Sequence, residues 1–130
     1  MWQKPEIDCS KSVWISPWQW KVVKPNNFIL GNHTDIGSYT VFLCQQGVEI
    51  EDDVSIGPFC AILSISTIGG YQGKVTIKRN AKIGSHTTIM PGVIIGENAI
   101  IGSHSYVDCE IPPNEFWCGI PAKFKHIINT

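Results

Sequence analysis

Histidine is the side chain best suited to moving protons near neutral pH, and this chain has four: His33, His86, His104 and His126. Two of them have a regular spacing. His86 and His104 stand 18 residues apart, and each follows a serine, Ser85 and Ser103, at that same separation. If the chain returns to the same place every 18 residues, the two imidazoles stack about 5 Å apart, one strand spacing, where charging both is unfavourable. His86 is then a candidate general base, able to take a proton from a hydroxyl or amine that attacks an electrophile. His33 is the second candidate, because it sits three residues after an aliphatic residue, as His86 does, but it falls on a different side if the Ser66–Lys74 stretch is inserted between repeats rather than replacing one. The five cysteines contain no CxxC pair. They support neither a disulfide framework nor a zinc site, so no metal is expected, and a reducing cytoplasm is the expected location.

What must position these residues is a repeat of six. Aliphatic anchors run in step at Leu30, Ile36, Phe42, then Ile50, Ile56, Ile62, then Ile77, Ile83, Ile89, Ile95, Ile101 and Val107. Glycine follows many anchors, at Gly31, Gly37, Gly57, Gly84, Gly96 and Gly102, and a small or compact residue stands four places after them. Period six matches neither an α-helix nor a surface strand. It matches a chain bent into three corners per coil, with anchors pointing inward and Gly or Asn accommodating the turns. A β-sandwich would space its strands less evenly, at roughly 8 to 12 residues. The expected fold is therefore all-β: a parallel β-solenoid of six-residue repeats with one extended loop and a short C-terminal tail. Residues 1–130 form one domain: an irregular N-terminal cap over 1–29, hexapeptide coils over 30–111 and a tail over 112–130. Roughly five coils are expected, about 24 Å tall at the strand spacing.

Two breaks interrupt the grid: a slip at Cys44-Gln45-Gln46-Gly47, and the longer Ser66–Lys74 stretch. Insertions in solenoids become loops on one face, often the binding face. Trp14, Trp18 and Trp20 crowd around Pro17 and suit the covering of an open solenoid end, with a membrane-interface segment and a sugar platform as the competing readings. The net charge of −1, with scattered signs, lacks the basic footprint of a nucleic-acid binder. No apolar run reaches the ~20 residues of a membrane span.

The stretch from Ile83 to Gly96, with Gly84-Ser85-His86 and Met90-Pro91-Gly92, resembles the last full coils of the maltose, galactoside and xenobiotic O-acetyltransferases. The tail Val107-Asp108-Cys109-Glu110-Ile111-Pro112-Pro113-Asn114, followed by Gly119-Ile120-Pro121-Ala122-Lys123, is similar to that family's closing motif. Short chains of this kind also resemble acetyltransferases of surface-polysaccharide and amino-sugar pathways. The resemblance implies a left-handed parallel β-helix, the hexapeptide-repeat solenoid, assembled as a homotrimer with acetyl-coenzyme A lying between neighbouring prisms. It places Ser85 and Ser103 along the pantetheine arm, Lys123 and His126 near the nucleotide phosphates, and Asp108 among the cofactor-binding residues of the tail. The resemblance also breaks at one point. The family's catalytic histidine lies in the extended loop in a His-Pro context, whereas here Thr67 or Ile68 stands near that place and the loop has no histidine.

The expected function is thus acetyl transfer from acetyl-coenzyme A to a hydroxyl or amine of a sugar or nucleotide sugar, in surface-polysaccharide synthesis. A hydroxyl needs a base, while an amine near its own pKa needs mainly positioning. The missing loop histidine therefore leans toward an amino sugar. Two alternatives stay open. One is a non-enzymatic solenoid acting in assembly. The other is a γ-class carbonic anhydrase, which would need three histidines in open geometry.

Overall fold

The computed structural model describes residues 1–129. The six-residue period folds the chain into a three-faced prism of short parallel strands, and the fold is the left-handed parallel β-helix of hexapeptide-repeat proteins. The first face stacks Phe28–Leu30, Val48–Ile50, Val75–Ile77 and Ile94–Ile95. The second stacks Asp35–Ile36, Ser55–Ile56, Lys82–Ile83, Ile100–Ile101, Glu115–Gly119 and Ala122–Ile127. The third stacks Val13–Ile15, Lys21–Val23, Val41–Leu43, Ala61–Leu63, Thr88–Ile89 and Tyr106–Val107. Among the described residues, no helix is long and apolar enough to cross a membrane.

The anchors form three vertical ladders. Leu30, Ile50, Ile77 and Ile95 are in register on the first face, Ile36, Ile56, Ile83 and Ile101 on the second, and Phe42, Ile62, Ile89 and Val107 on the third. All are buried except Ile36, which is half-buried near the open end. Each fully buried aliphatic side chain contributes about 1.5–3 kcal/mol, so keeping the anchors in phase is what holds the coil together.

Glycine and asparagine accommodate turns as expected, but not alone. The left-handed corner position is taken by His33, Asp53, Asn80 and Asn98 at one corner, by Tyr39, Phe59, His86 and His104 at another, and by Gly47 and Gly92 at the third. Glycine directly after the anchor is needed because the next coil's backbone touches it. A Cβ on Gly37 would lie 2.2 Å from the Pro58 nitrogen, and one on Gly84 would lie 2.5 Å from the Ser103 nitrogen.

Four complete coils stack, rather than the five expected, with part-turns at both ends. After Val107 only an isolated bridge, Ile95 to Ile111, continues the first face, and Pro112 and Pro113 have no N–H to extend a ladder. The stretch 112–130 then forms an antiparallel hairpin, Glu115–Gly119 with Ala122–Ile127, which extends the second face. Of that stretch, Thr130 lies outside the described residues.

The N-terminal stretch, expected to be irregular, contains a second hairpin, Val13–Ile15 with Lys21–Val23. Lys21–Val23 already pairs in parallel with Val41–Leu43, so the prism begins before Leu30. The Ser16 hydroxyl fixes the hairpin turn by accepting from the Trp18 and Trp20 amides, both at 3.1 Å. Trp20 is buried and packs edge-on against Phe42 at 5.9 Å and Trp14 at 5.3 Å. These two indoles cover the solenoid end, whereas Trp18 stays 58% exposed.

Both breaks fall at the corner joining the third face to the first. Cys44 turns inward there, and burial pushes its thiol up to about 12. The longer insertion forms a small antiparallel hairpin, Ile65–Ser66 with Tyr71–Gln72, and a fully exposed Ile68 lies in its turn. Beyond it, Lys74 Nζ binds Glu49 Oε1 at 2.8 Å across neighbouring coils of the first face.

Candidate active site

Because Ile36, Ile56, Ile83 and Ile101 are in register, the residues two and three places later form parallel columns. These columns run up the corner between the second and third faces. One holds Ser38, Pro58, Ser85 and Ser103, and the other holds Tyr39, Phe59, His86 and His104.

The aromatic column is continuous. Tyr39 stacks on Phe59 at 5.5 Å, Phe59 on His86 at 5.0 Å, and His86 on His104 at 4.6 Å with 8° between planes. The last distance agrees with the one-strand spacing expected from sequence. His86 is therefore held between a phenyl ring and a second imidazole. Its backbone is pinned in the left-handed region at φ 58° and its amide donates to the Pro58 carbonyl at 3.1 Å. Among the described residues no group hydrogen-bonds either imidazole, so the ring nitrogens of both exposed histidines remain available to a ligand.

The small-residue column lies beside it. Ser85 Oγ is 3.5 Å from Ser103 Oγ. Among the described residues, neither the Ser85 nor the Ser103 amide donates to a carbonyl or side chain. Behind this wall, Ser105 Oγ donates to the Gly102 carbonyl at 2.6 Å and accepts from the Gly119 amide at 3.1 Å. The tail is thereby tied to the corner. Lys123 stands opposite Cys118 in the tail hairpin, and Cys118 covers Gly102. This brings Lys123, exposed, to the upper end of the serine column.

The other expected site residues fall elsewhere. His33 stands at the corner between the first and second faces, in one column with Asp53, Asn80 and Asn98, and packs against Trp2 at 5.2 Å. A whole face separates it from His86, so one protomer does not bring the two candidate bases together. His126 pairs opposite Phe116 and stacks on it at 5.0 Å. It lies three residues along the strand from Lys123, about 10 Å at the strand rise, so the two side chains are not adjacent. Asp108 follows Tyr106–Val107 at the corner joining the third and first faces. Burial, reinforced by Asp108 and opposed by Lys123, raises the neighbouring Cys109 thiol. Among the described residues of one protomer, no three His, Cys, Asp or Glu side chains converge as metal ligands would.

Tyr39, Phe59, Ser38 and Pro58 complete the columns and were not singled out from sequence. Their signal was the fixed offset from Ile36 and Ile56, hidden by the two insertions that break a count of 18.

A coil of this period with these corners belongs to one class, the hexapeptide-repeat solenoids. Residues 74–109 match the family described as bacterial transferase hexapeptide, six repeats, and the chain belongs to the hexapeptide-repeat family. It is 46% identical over 136 aligned positions to the galactoside O-acetyltransferase of Escherichia coli (strain K12), a match covering 92% of this chain and 63% of that protein. Its structure is similar to a galactoside acetyltransferase solved in complex with coenzyme A, with TM-score 0.71, 28% identity, and 91% and 63% of the two chains covered. It is likewise similar to a maltose O-acetyltransferase from Clostridium difficile 630, with TM-score 0.78, 29% identity, and 86% and 65% covered. The chain thus spans less than two thirds of the length of these relatives.

Proposed function

We propose that this chain is an acetyl-coenzyme-A-dependent acetyltransferase that acetylates a hydroxyl or amine on a sugar or nucleotide sugar, in surface-polysaccharide synthesis. The observation that carries the reading is the straight outward column of small residues, Ser85 and Ser103 with unused amides, ending at Lys123. A long thin cofactor arm carrying amides needs such a wall, and a cation at its end suits phosphate. The relatives' named activities and the coenzyme A bound to one of them support the same assignment.

In the proposed reaction the acceptor oxygen or nitrogen attacks the thioester carbonyl, the carbon–sulfur bond breaks, and the coenzyme leaves as a thiolate. His86 takes the acceptor's proton and returns it to the thiolate, so charge and protons balance. The hairpin at 65–72 has no histidine to serve in its place. An amine acceptor makes the smaller demand, because only positioning is required once it is neutral, and the reading therefore favours an amino sugar.

The proposal includes a homotrimer, since a groove between prisms gives the exposed columns a second wall and closed cyclic symmetry suits one repeated interface. Light scattering is expected to return three times the mass of one chain at micromolar concentration, and a monomer would remove the shared groove. The direct test of activity is mass action. Coenzyme A at 100 times its Kd is expected to stabilise the folded protein by about 2.7 kcal/mol, read as a raised melting temperature. An unmoved melting curve would favour the non-enzymatic assembly reading.

A further inference from the structure

The open end of the second face carries a cleft of about 570 Å³, a volume within the usual range for small-ligand sites. Its floor is apolar, built from Leu30, Trp20 and Ile36. Trp2 and Trp18 also line it, and Asp35 and Ser38 are among its polar groups. We propose that this cleft is a subsite for a pyranose ring of an extended acceptor, one that lies along the Tyr39–Phe59–His86 column.

The chemistry of the lining selects this ligand class. A pyranose has an apolar C–H face and a hydroxyl edge, and the cleft offers both partners. Trp18 is 58% exposed on a hairpin turn fixed by Ser16, and the Trp2 indole Nε1 is fastened to the Thr34 carbonyl at 2.8 Å. The Trp2 indole and the Trp18 backbone are thus held before a ligand arrives, so less freedom is lost on binding. Among the described residues the exposed Asp35 carboxylate has no hydrogen-bond or salt-bridge partner. It is free to accept from ring hydroxyls, and hydrogen bonds to a charged acceptor are the stronger kind. A purely apolar chain in the same place would desolvate that carboxylate without compensation.

The position of the cleft gives the second half of the argument. Ser38 lines it and is also the lowest member of the column that continues through Pro58 to Ser85 and Ser103. From that level to His86 is two strand spacings, about 10 Å. A ring seated in the cleft therefore leaves the reacting group of a neighbouring unit near His86, while the cofactor approaches along the serines from the Lys123 end. This assigns specificity for an acceptor longer than a single sugar. The choice of a sugar rests on the proposed function, but the site is tested by binding alone.

The probes are methyl β-glucoside, methyl β-N-acetylglucosaminide, cellobiose and chitobiose at millimolar concentration. They are read by saturation-transfer NMR and tryptophan emission on the whole protein. At least one disaccharide is expected to bind more tightly than its methyl glycoside. Trp18→Ala and Asp35→Ala are each expected to weaken that binding about tenfold or more, with coenzyme A stabilisation and oligomeric mass unchanged. If Trp18→Ala fails to fold, Asp35→Ala on the exposed edge strand carries the test. Absence of binding by all four probes, or equal binding in both variants, overturns the subsite. A changed oligomeric mass in Trp18→Ala also overturns it, by making the cleft a contact between copies. If sugar binding behaves as expected but coenzyme A never stabilises the protein, the acetyltransferase reading fails and the subsite stands.

Discussion

Replacing Ser103 by tryptophan is expected to abolish coenzyme A binding and leave the coil folded. The corner geometry makes both halves of that result follow from one fact. Ser103 is exposed and its side chain is not part of the core, which at this level is built from Ile101 and Ser105 facing inward. An indole there covers the serine column and the free amides beside it, and fills the space a thin ligand would occupy. Ser103→Ala and Ser85→Ala are expected to weaken binding by less than about threefold, since the proposed contacts are to backbone and a lost neutral hydrogen bond is worth about 1 kcal/mol or less. The readouts are the coenzyme-induced rise in melting temperature, which should vanish in the tryptophan variant, and far-UV circular dichroism, which should not change. Normal coenzyme binding by Ser103→Trp would move the cofactor to another corner and take Lys123 with it.

The contrast between core and site explains what could be read from sequence. Every anchor from Leu30 to Val107 falls on a ladder of the prism. Burying the anchor and the small residue four places after it in each hexad leaves no freedom of phase, because a slip would turn a whole face outward. The stacking of Ser85 with Ser103, and of His86 with His104, follows from the same period. The ends were illegible for an equally physical reason. The N-terminal hairpin is antiparallel, closed by a Ser16 turn and filled by Trp20 and Trp14, so nothing in it repeats. The tail hairpin likewise has a period of two.

His33 shows where counting leaves two outcomes, and the loop's being an insertion decides between them. It holds the same place in its hexad as His86, yet the two insertions and the three-face cycle put it at a different corner, against Trp2. Tyr39 and Phe59 show the converse. They share His86's corner, but the left-handed position accepts Tyr, Phe, His, Asp and Asn alike, so residue type carried no signal there. Only register across the coils reveals the aromatic column. Neither the column nor the cleft beside Trp18 belongs to the six-residue pattern, and both depend on how coils of different length stack.

The column also frames the expected behaviour of His86. His86→Ala is expected to lower kcat by about 10²–10⁴-fold, the usual worth of a general base, with coenzyme A affinity little changed because the serine wall is untouched. Stability needs a separate control, since position 86 has φ 58° and an alanine is poorly suited to that region. Asparagine tolerates it and stands at the equivalent turn in Asn80 and Asn98. His86→Asn therefore removes the base while keeping the backbone, and is expected to match the alanine variant in kcat. His104→Asn is expected to cost much less. It takes away one stacking partner, while Phe59 still holds the other face of the His86 ring at 5.0 Å. A loss under about fivefold in His86→Asn falls well below general-base help and would leave two explanations. If His33 is the base, brought to the site from a neighbouring protomer, His33→Asn should cripple turnover. If transfer is base-free onto an amine, the rate should instead rise with pH along the acceptor's own titration in every histidine variant, because only the neutral amine attacks.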